Sequence, residues 1–366
     1  MAGWSDYLGL AQGPTAFTRE VYSMSDTPID RLPVGNLPPR PHGHSVPRFA
    51  GISTFARLPN TQSLEGVDVA IFGVPFDGGT SFRPGARFGP QGIRQASRLL
   101  RTHNYALDVQ PFDELMVVDY GDLVVVPSDI EDTYALVEEQ VHAFYVAGVF
   151  PMAMGGDHSV GLPLLRACAR KHGPVSLVQF DSHPDTWDKL FGKEYGHATV
   201  VKRAVEEQLI DPARSIQVGI RSSLPYPDDL DRTRAMGITI VTVEELFRRG
   251  IQDVAEQVRG LVGDKVYMTF DIDFLDPAYA PGTGTPEVGG PTSRMAIDLV
   301  RELKSLPLVA FDLVEVAPQY DVSEITAMLA ANIMYEALSI LAWRKPSEQI
   351  KELVTRSGRK KAKAAP

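Results

Sequence analysis

Two short, mostly apolar runs, each ending in a cluster of acids, constrain this chain more than any other feature. Ser176–Phe180 leads into Asp181-Ser182-His183-Pro184-Asp185, and Val266–Phe270 leads into Asp271-Ile272-Asp273. Such runs read as strands covered on both faces, which belong in a parallel sheet with helices above and below it. Open sheets of that type build their chemistry beyond the carboxyl ends of the strands. Side chains two residues apart on an extended segment share a side, so Asp181, His183 and Asp185 can project together, as can Asp271 and Asp273. Buried carboxylates are costly unless paired or bound to cations.

The rest of the chain fits the same architecture. Further strands are expected at 67–73, 115–119, 151–154, 215–219, 238–241 and 308–312, beside those at 175–180 and 265–270. Helices are expected at 90–101, 131–147, 160–171, 200–208, 244–258, 292–305 and 323–342. This alternation predicts a single three-layer α/β domain with a mainly parallel sheet flanked by helices. The domain is expected over 61–345, after a proline-rich arm (1–60) that packs on the domain or on a neighbouring subunit, and before a basic, solvated tail (346–366). His42 and His44, in the arm, have metal-compatible spacing but no ligand cluster near them in sequence.

Composition narrows the function classes. A formal charge of -10 opposes a general polyanion-binding role and is compatible with a cationic substrate. The basic run Arg359–Lys363 has no interleaved aromatics, so no specific nucleic-acid binding is expected of it. Cys168 is the one cysteine and sits in an apolar run, which predicts a buried small hydrophobe and favours a reducing compartment. The first residues lack the character of an export signal, and no apolar stretch reaches membrane-spanning length uninterrupted. The expectation is a cytoplasmic protein with no membrane association.

His158 joins the acids from a third stretch, Gly155-Gly156-Asp157-His158-Ser159, whose glycines permit close approach and whose Ser159 can cap the following helix. Asp157 is read as orienting that loop. Taken together, His158, Asp181, His183, Asp185, Asp271 and Asp273 suit two divalent ions and a water activated between them, the equipment of a binuclear metallohydrolase. Singly, either histidine is equally well a capping or core residue.

At this point the chain resembles the ureohydrolase superfamily of arginases and agmatinases, in particular its agmatinase branch. The resemblance is carried by Gly73–Asp77, Arg83–Pro90, Gly155–Ser159, Asp181–Asp185, Asp271–Asp276 and Ala280–Glu287, and spans roughly 60–342. It implies an arginase-like fold, with His158, Asp181, Asp185 and Asp271 around one ion and Asp181, His183, Asp271 and Asp273 around the other. Two manganese ions are the family default, and nickel serves some relatives. The implied reaction is hydrolysis at a guanidino carbon, giving urea and an amine. His197, in Tyr195–Thr199, matches the family's proton-transfer histidine, and Glu315, in Asp312–Val316, the carboxylate that holds the guanidino head. A helix-start histidine and a buried ion pair are the structural alternatives.

Specificity is more open. Ser182 and Pro184 depart from the usual family pattern, and Trp187 follows as either a pocket wall or ordinary packing. These departures motivate a second account, a nickel-dependent hydrolase of free guanidine or of an alkylated biguanide such as metformin, working with a related subunit. A third account is a metal-binding partner subunit without activity of its own. The resemblance also implies a homo-oligomer, a trimer or hexamer. Arg83 and Arg87 are read as structural anchors, the Arg221–Pro227 loop as a substrate wall, and Asp276 and Glu287 as supports of the glycine-rich loop.

Overall fold

Each expected apolar run becomes a strand of one sheet in the computed structural model, which describes residues 40–41, 46–221 and 223–344. The strands are β1 (Val69–Gly73), β2 (Val117–Asp122), β3 (Phe150–Met154), β4 (Ser176–Phe180), β5 (Ile216–Ile220), β6 (Thr239–Thr242), β7 (Val266–Asp271) and β8 (Leu308–Val314). The helices are α1 (Gly89–Ser97), α2 (Pro111–Glu114), α3 (Ile130–Ala147), α4 (Gly161–His172), α5 (Val200–Glu206), α6 (Asp229–Ala235), α7 (Val243–Arg249), α8 (Ile251–Leu261), α9 (Ser293–Glu302) and α10 (Ile325–Trp343). His42, His44, the first 39 residues and the 346–366 tail lie outside the described residues.

The sheet order is β2-β1-β3-β8-β7-β4-β5-β6, and every neighbouring pair is parallel. The last two strands in sequence therefore insert between β3 and β4. That insertion makes β3, β8, β7 and β4 the central four strands, and all the acid- and histidine-rich loops leave from their carboxyl ends.

Alternate residues along each strand feed two separate cores. Val69 and Ile71 of β1 face a core built with α1, α8, α9 and α10, while Ala70 and Phe72 face one built with α3, α4 and α5. This is the three-layer arrangement expected from the sequence. Directly beneath the acids, Phe180, Phe270 and Phe274 form a triangle with centroid separations of 5.4 to 5.5 Å. Each ring is fully buried and contributes roughly 1.5–3 kcal/mol of transfer free energy. Phe180 precedes Asp181, Phe270 precedes Asp271, and Phe274 follows Asp273, so the packing that secures β4 to β7 also fixes where their acids stand.

The helix expected over 244–258 is instead two helices, α7 and α8, divided at Gly250, whose φ of 85° lies where other residues are strained. The short α2 and α6 were not foreseen. Packing also reaches back beyond residue 61: Phe55, Ala56 and Leu58 lie in the first core, and the Phe55 amide donates to Asp119 Oδ2 at 2.7 Å. Farther back, Arg40 donates to the carbonyls of Ala56 at 2.6 Å and Leu100 at 2.8 Å and covers the Phe112 ring. Cys168 is buried as expected, and burial pushes its thiol up to about 12. By length and composition α10 could cross a membrane, but 78% of its apolar window is buried within the protein. Glu336 in its middle accepts two hydrogen bonds from Arg301, at 2.5 and 3.0 Å.

Candidate metal centre

His158 follows β3 on a short turn that Asp157 caps. Asp157 accepts from the Ser159 amide (2.9 Å), the Ser159 hydroxyl and the Gly79 amide (2.7 Å), so it orients the loop, as its position suggested. The His158 Nδ1 atom then stands 3.0 Å from Asp181 Oδ2, 2.8 Å from Asp185 Oδ2 and 3.4 Å from Asp271 Oδ2. On the other side of Asp181, His183 Nδ1 lies 3.6 Å from Asp181 Oδ1 and 3.0 Å from Asp273 Oδ2. Two groups close enough to hold an ion result, His158–Asp181–Asp185 and Asp181–His183–Asp273, with Asp181 common to both. Asp271 stands between them, its Oδ1 accepting from the Asp273 amide at 2.8 Å. The fold thus gathers all six residues.

The contacts fit cations better than they fit a hydrogen-bonded cluster. His158 Nδ1 and Asp185 Oδ2 are both buried and neither has a hydrogen-bond partner among the described residues, although they are only 2.8 Å apart. Close approach without hydrogen-bond alignment is what a shared ion asks of two lone pairs. The backbone is held accordingly. Asp185 and Glu315 have φ of 51° and 65°, a left-handed conformation that costs ~1–3 kcal/mol for such residues and persists where the surroundings impose it.

The charges are in keeping with a site for cations. Burial opposes the charging of His158, but Asp185 and Asp181 override it and raise its pKa well above the ordinary value; His183 is raised in the same way by Asp273 and Asp181. Burial, then Asp273 and Asp181, raise the Asp271 carboxyl well above its usual range, and burial beside Asp181 brings Asp185 to about 6. Both shifts favour the protonated imidazoles while no cation is bound, and coordination of an ion by these rings would have to displace those protons. Metal loading at pH 7 is expected to release protons, and affinity to fall as pH drops. Calorimetry in buffers of differing ionisation enthalpy measures the first, and a pH series of dissociation constants the second; pH-independent affinity between 6 and 8 would contradict the assignment.

Beside this cluster lies a second pair. Glu315, following β8, accepts from the His158 amide and from His197 Nδ1 through the same oxygen, Oε1, each at 2.9 Å. Its other oxygen, Oε2, is buried with no partner among the described residues. His197 Nε2 meets Ser81 Oγ at 2.7 Å. Burial opposes the charging of His197, but the contact with Glu315 outweighs it and raises the pKa to about 9.

This geometry has close parallels. The sequence model described as the Arginase family matches residues 67–339. The chain belongs to the arginase family. Among its relatives, guanidinobutyrase of Pseudomonas aeruginosa is 43% identical over 82% of this chain and 95% of that protein. The mitochondrial agmatinase of Gallus gallus is also 43% identical, over 88% and 95%. Of solved structures, proclavaminate amidino hydrolase from Streptomyces clavuligerus superposes with a TM-score of 0.79 at 42% identity, covering 81% of this chain and 99% of that one. The fold is accordingly arginase-like.

Several supporting residues of this arginase-family site were not singled out from the sequence. His158 Nε2 meets Thr269 Oγ1 at 2.9 Å, and that hydroxyl donates to Asp312 Oδ1 at 2.6 Å, with the Tyr267 hydroxyl on the other Asp312 oxygen. Gln179 donates to Asp181 Oδ2 at 2.7 Å and is held in turn by Gln217 at 2.8 Å. Ser182, which the sequence had already marked as a departure from the family pattern, donates its hydroxyl to Asp273 Oδ1 at 2.7 Å. The available signal was a polar residue inside an otherwise apolar strand, since such residues are buried only with partners. Outer partners of ligands typically carry about 10- to 100-fold in metal affinity. Asp312→Asn is expected to weaken manganese binding within that range in a competition titration, whereas unchanged affinity would reduce Asp312 to core packing.

Two readings gain detail. Arg221, at the start of the loop read as a substrate wall, spends its guanidinium on the carbonyls of Asp273 (2.8 Å), Phe274 (3.0 Å), Leu275 (3.1 Å) and Glu287 (2.7 Å), stapling β5 to the loop after β7. Glu287 does more than support its loop, since its carboxylate comes within 3.7 Å of His183 Nε2. Asp276 does hold the glycine loop, accepting from Gly289 at 2.7 Å and Gly290 at 3.2 Å. Arg87 pairs with Asp77, and Arg83 lies over the Tyr320 ring at 5.2 Å. Trp187 is half-buried, and its indole Nε1 has no partner among the described residues.

Proposed function

We propose that this chain hydrolyses a small linear guanidino compound at its guanidino carbon, releasing urea and an amine, with manganese in both positions. The observation that carries the reading is the pair of ligand groups sharing Asp181, set beside a buried carboxylate, Glu315, with one oxygen left unpartnered. His158, Asp181, Asp185 and Asp271 would hold one ion, and Asp181, His183, Asp271 and Asp273 the other. Four carboxylates against two imidazoles favour a hard ion such as manganese. When bound, the two cations supply Lewis acidity and a water of lowered pKa.

The chain's own residues do the rest. Glu315 Oε2, buried and without a partner among the described residues, is available to accept N–H bonds from a guanidinium and to hold its carbon in place. The water oxygen bonds to that carbon and gives up a proton, the carbon–nitrogen bond to the tail breaks, and the departing nitrogen takes up one proton, so that guanidinium and water become urea and an ammonium, and the water's proton restores the one His197 gives. His197 is placed to supply it: Nδ1–H stays with Glu315, while the Nε2 proton is delivered toward the leaving amine past the Ser81 hydroxyl.

The test is a turnover screen of the purified chain, loaded separately with manganese and with nickel, against agmatine, 4-guanidinobutyrate, guanidine and metformin. Urea released from one of the first two with manganese supports the proposal. Preference for guanidine or metformin with nickel would replace it, and turnover only after adding a homologous subunit would establish the partner-subunit account. Sedimentation of the same sample reads whether it is a homo-oligomer.

A further inference from the structure

One nitrogen of His197 is committed and the other is not. Nδ1 is bound to Glu315 Oε1, the oxygen that also accepts from the His158 amide, so a proton there anchors the ring and the metal loop together. A proton that leaves the ring must therefore leave from Nε2, whose partner is the Ser81 hydroxyl at 2.7 Å. His197 is only 7% exposed and has little other outlet. Ser81 is half-buried and stands between the enclosed ring and solvent.

Backbone contacts set this hydroxyl in place before any substrate arrives. The Gly79 amide donates to Asp157 Oδ2 at 2.7 Å, and the Gly79 carbonyl accepts from the His197 amide at 3.0 Å. A β-carbon on Gly79 would come within 2.8 Å of Ser159 Oγ and 3.2 Å of Asp157 Oδ2, so the absence of a side chain is what lets the segment lie against the metal loop. Two residues later, Ser81 is thereby held to the same backbone that carries His197.

We propose that Ser81 is the proton relay of His197. A serine hydroxyl accepts and donates at once. As the imidazolium discharges, its Nε2–H bond breaks and an O–H bond forms on Ser81 Oγ. The original Ser81 O–H bond breaks in turn, and its proton forms the N–H bond of the departing amine. Serine and ring both end neutral, with Nδ1–H still on Glu315, and the proton that water gives up returns to Nε2. This rests on the guanidino reading above and names the route by which its proton moves.

The experiment compares wild type, Ser81→Thr and Ser81→Val. Threonine and valine have nearly the same shape and only threonine carries the hydroxyl, so the pair separates proton relay from packing. The manganese-loaded enzymes are assayed with whichever of agmatine and 4-guanidinobutyrate is turned over. Ser81→Val is expected to lose about 100-fold in kcat, the low end for a general acid, with KM and manganese content unchanged. Ser81→Thr recovers most of that loss. Wild-type kcat in Ser81→Val overturns the relay. So does an equal loss in both variants, or loss of manganese from Ser81→Val, since either makes the contact one of packing. Ser81→Ala, which needs less room, takes the place of valine if that variant does not fold. An NMR measurement on the metal-free proteins is independent of turnover: exchange of the His197 Nε2 proton with water should be slowed by valine and not by threonine. Equal exchange rates in the three proteins also overturn the proposal. If the wild type turns over no guanidino compound, the functional reading fails separately, and the exchange measurement decides Ser81 alone.

Discussion

Asp181→Asn is expected to strip both ions from the protein and to lower kcat/KM by more than about 100-fold, beyond the range for an outer-sphere partner. Asp181 is the residue common to both ligand groups, so no second ion can survive by reassigning its ligands. Burial opposes its ionisation, yet the adjacent His158 and His183 rings hold its carboxyl well below the usual range, so it is charged and ready for a cation across the physiological range. Elemental analysis of the purified variant measures the loss directly. Thermal unfolding gives an independent reading: an ion present at ~1,000 times its dissociation constant stabilises the folded state by about 4 kcal/mol, and that increment should vanish in the variant.

Asp271→Asn provides a contrast. Burial beside Asp273 and Asp181 raises the Asp271 carboxyl well above its usual range, so its charge costs stability in the metal-free protein at any pH above the unfolded carboxylate value. The amide should raise the metal-free Tm at neutral pH, with the gain shrinking as the pH falls from the raised folded value to the ordinary carboxylate range, while manganese no longer adds its increment. A variant that lost stability without metal would show that these acids are held by something other than the need for cations.

His197→Asn is the other large effect. Removing a positioned proton donor typically costs ~100- to 10,000-fold, and here the loss should fall on kcat with both ions retained. The pH behaviour follows from Glu315. Burial alone would keep the imidazole neutral, but the carboxylate 2.9 Å from Nδ1 raises its pKa to about 9 in the metal-free protein. The folded value exceeds the unfolded one, so the stabilisation from this pair is complete below about 6.5 and is lost as the pH rises through about 9. Glu315→Gln should return the imidazole titration toward its ordinary value, which an NMR titration of the ring protons would record. An unchanged titration in that variant would mean that Glu315 is not what holds the proton.

The chain read alone gave all eight strands, because residues buried on both faces must be apolar almost continuously, and that pattern is local. It also displayed the six candidate ligands, since buried acids close after apolar runs are costly anywhere but at a cation or a partner, while His197 and Glu315 were marked by the resemblance to the ureohydrolases. What it could not display was which loops meet. Only the insertion of β8 and β7 between β3 and β4 brings His158, Glu315, Asp271 and Asp181 to one edge, and pairing across distant segments leaves no mark in local periodicity. The same holds for Thr269 and Asp312, which look like minor interruptions of two strands until β7 and β8 pair and set them behind His158. Arg221 meets the same limit: it begins a loop read as a substrate wall, and only the packing of β5 against the loop after β7 engages it on carbonyls. The sequence by itself thus determined the chemistry available and the layers that bury it. The tertiary structure decided the order of the strands, and with it which oxygens end up bonded and which are left without a partner among the described residues.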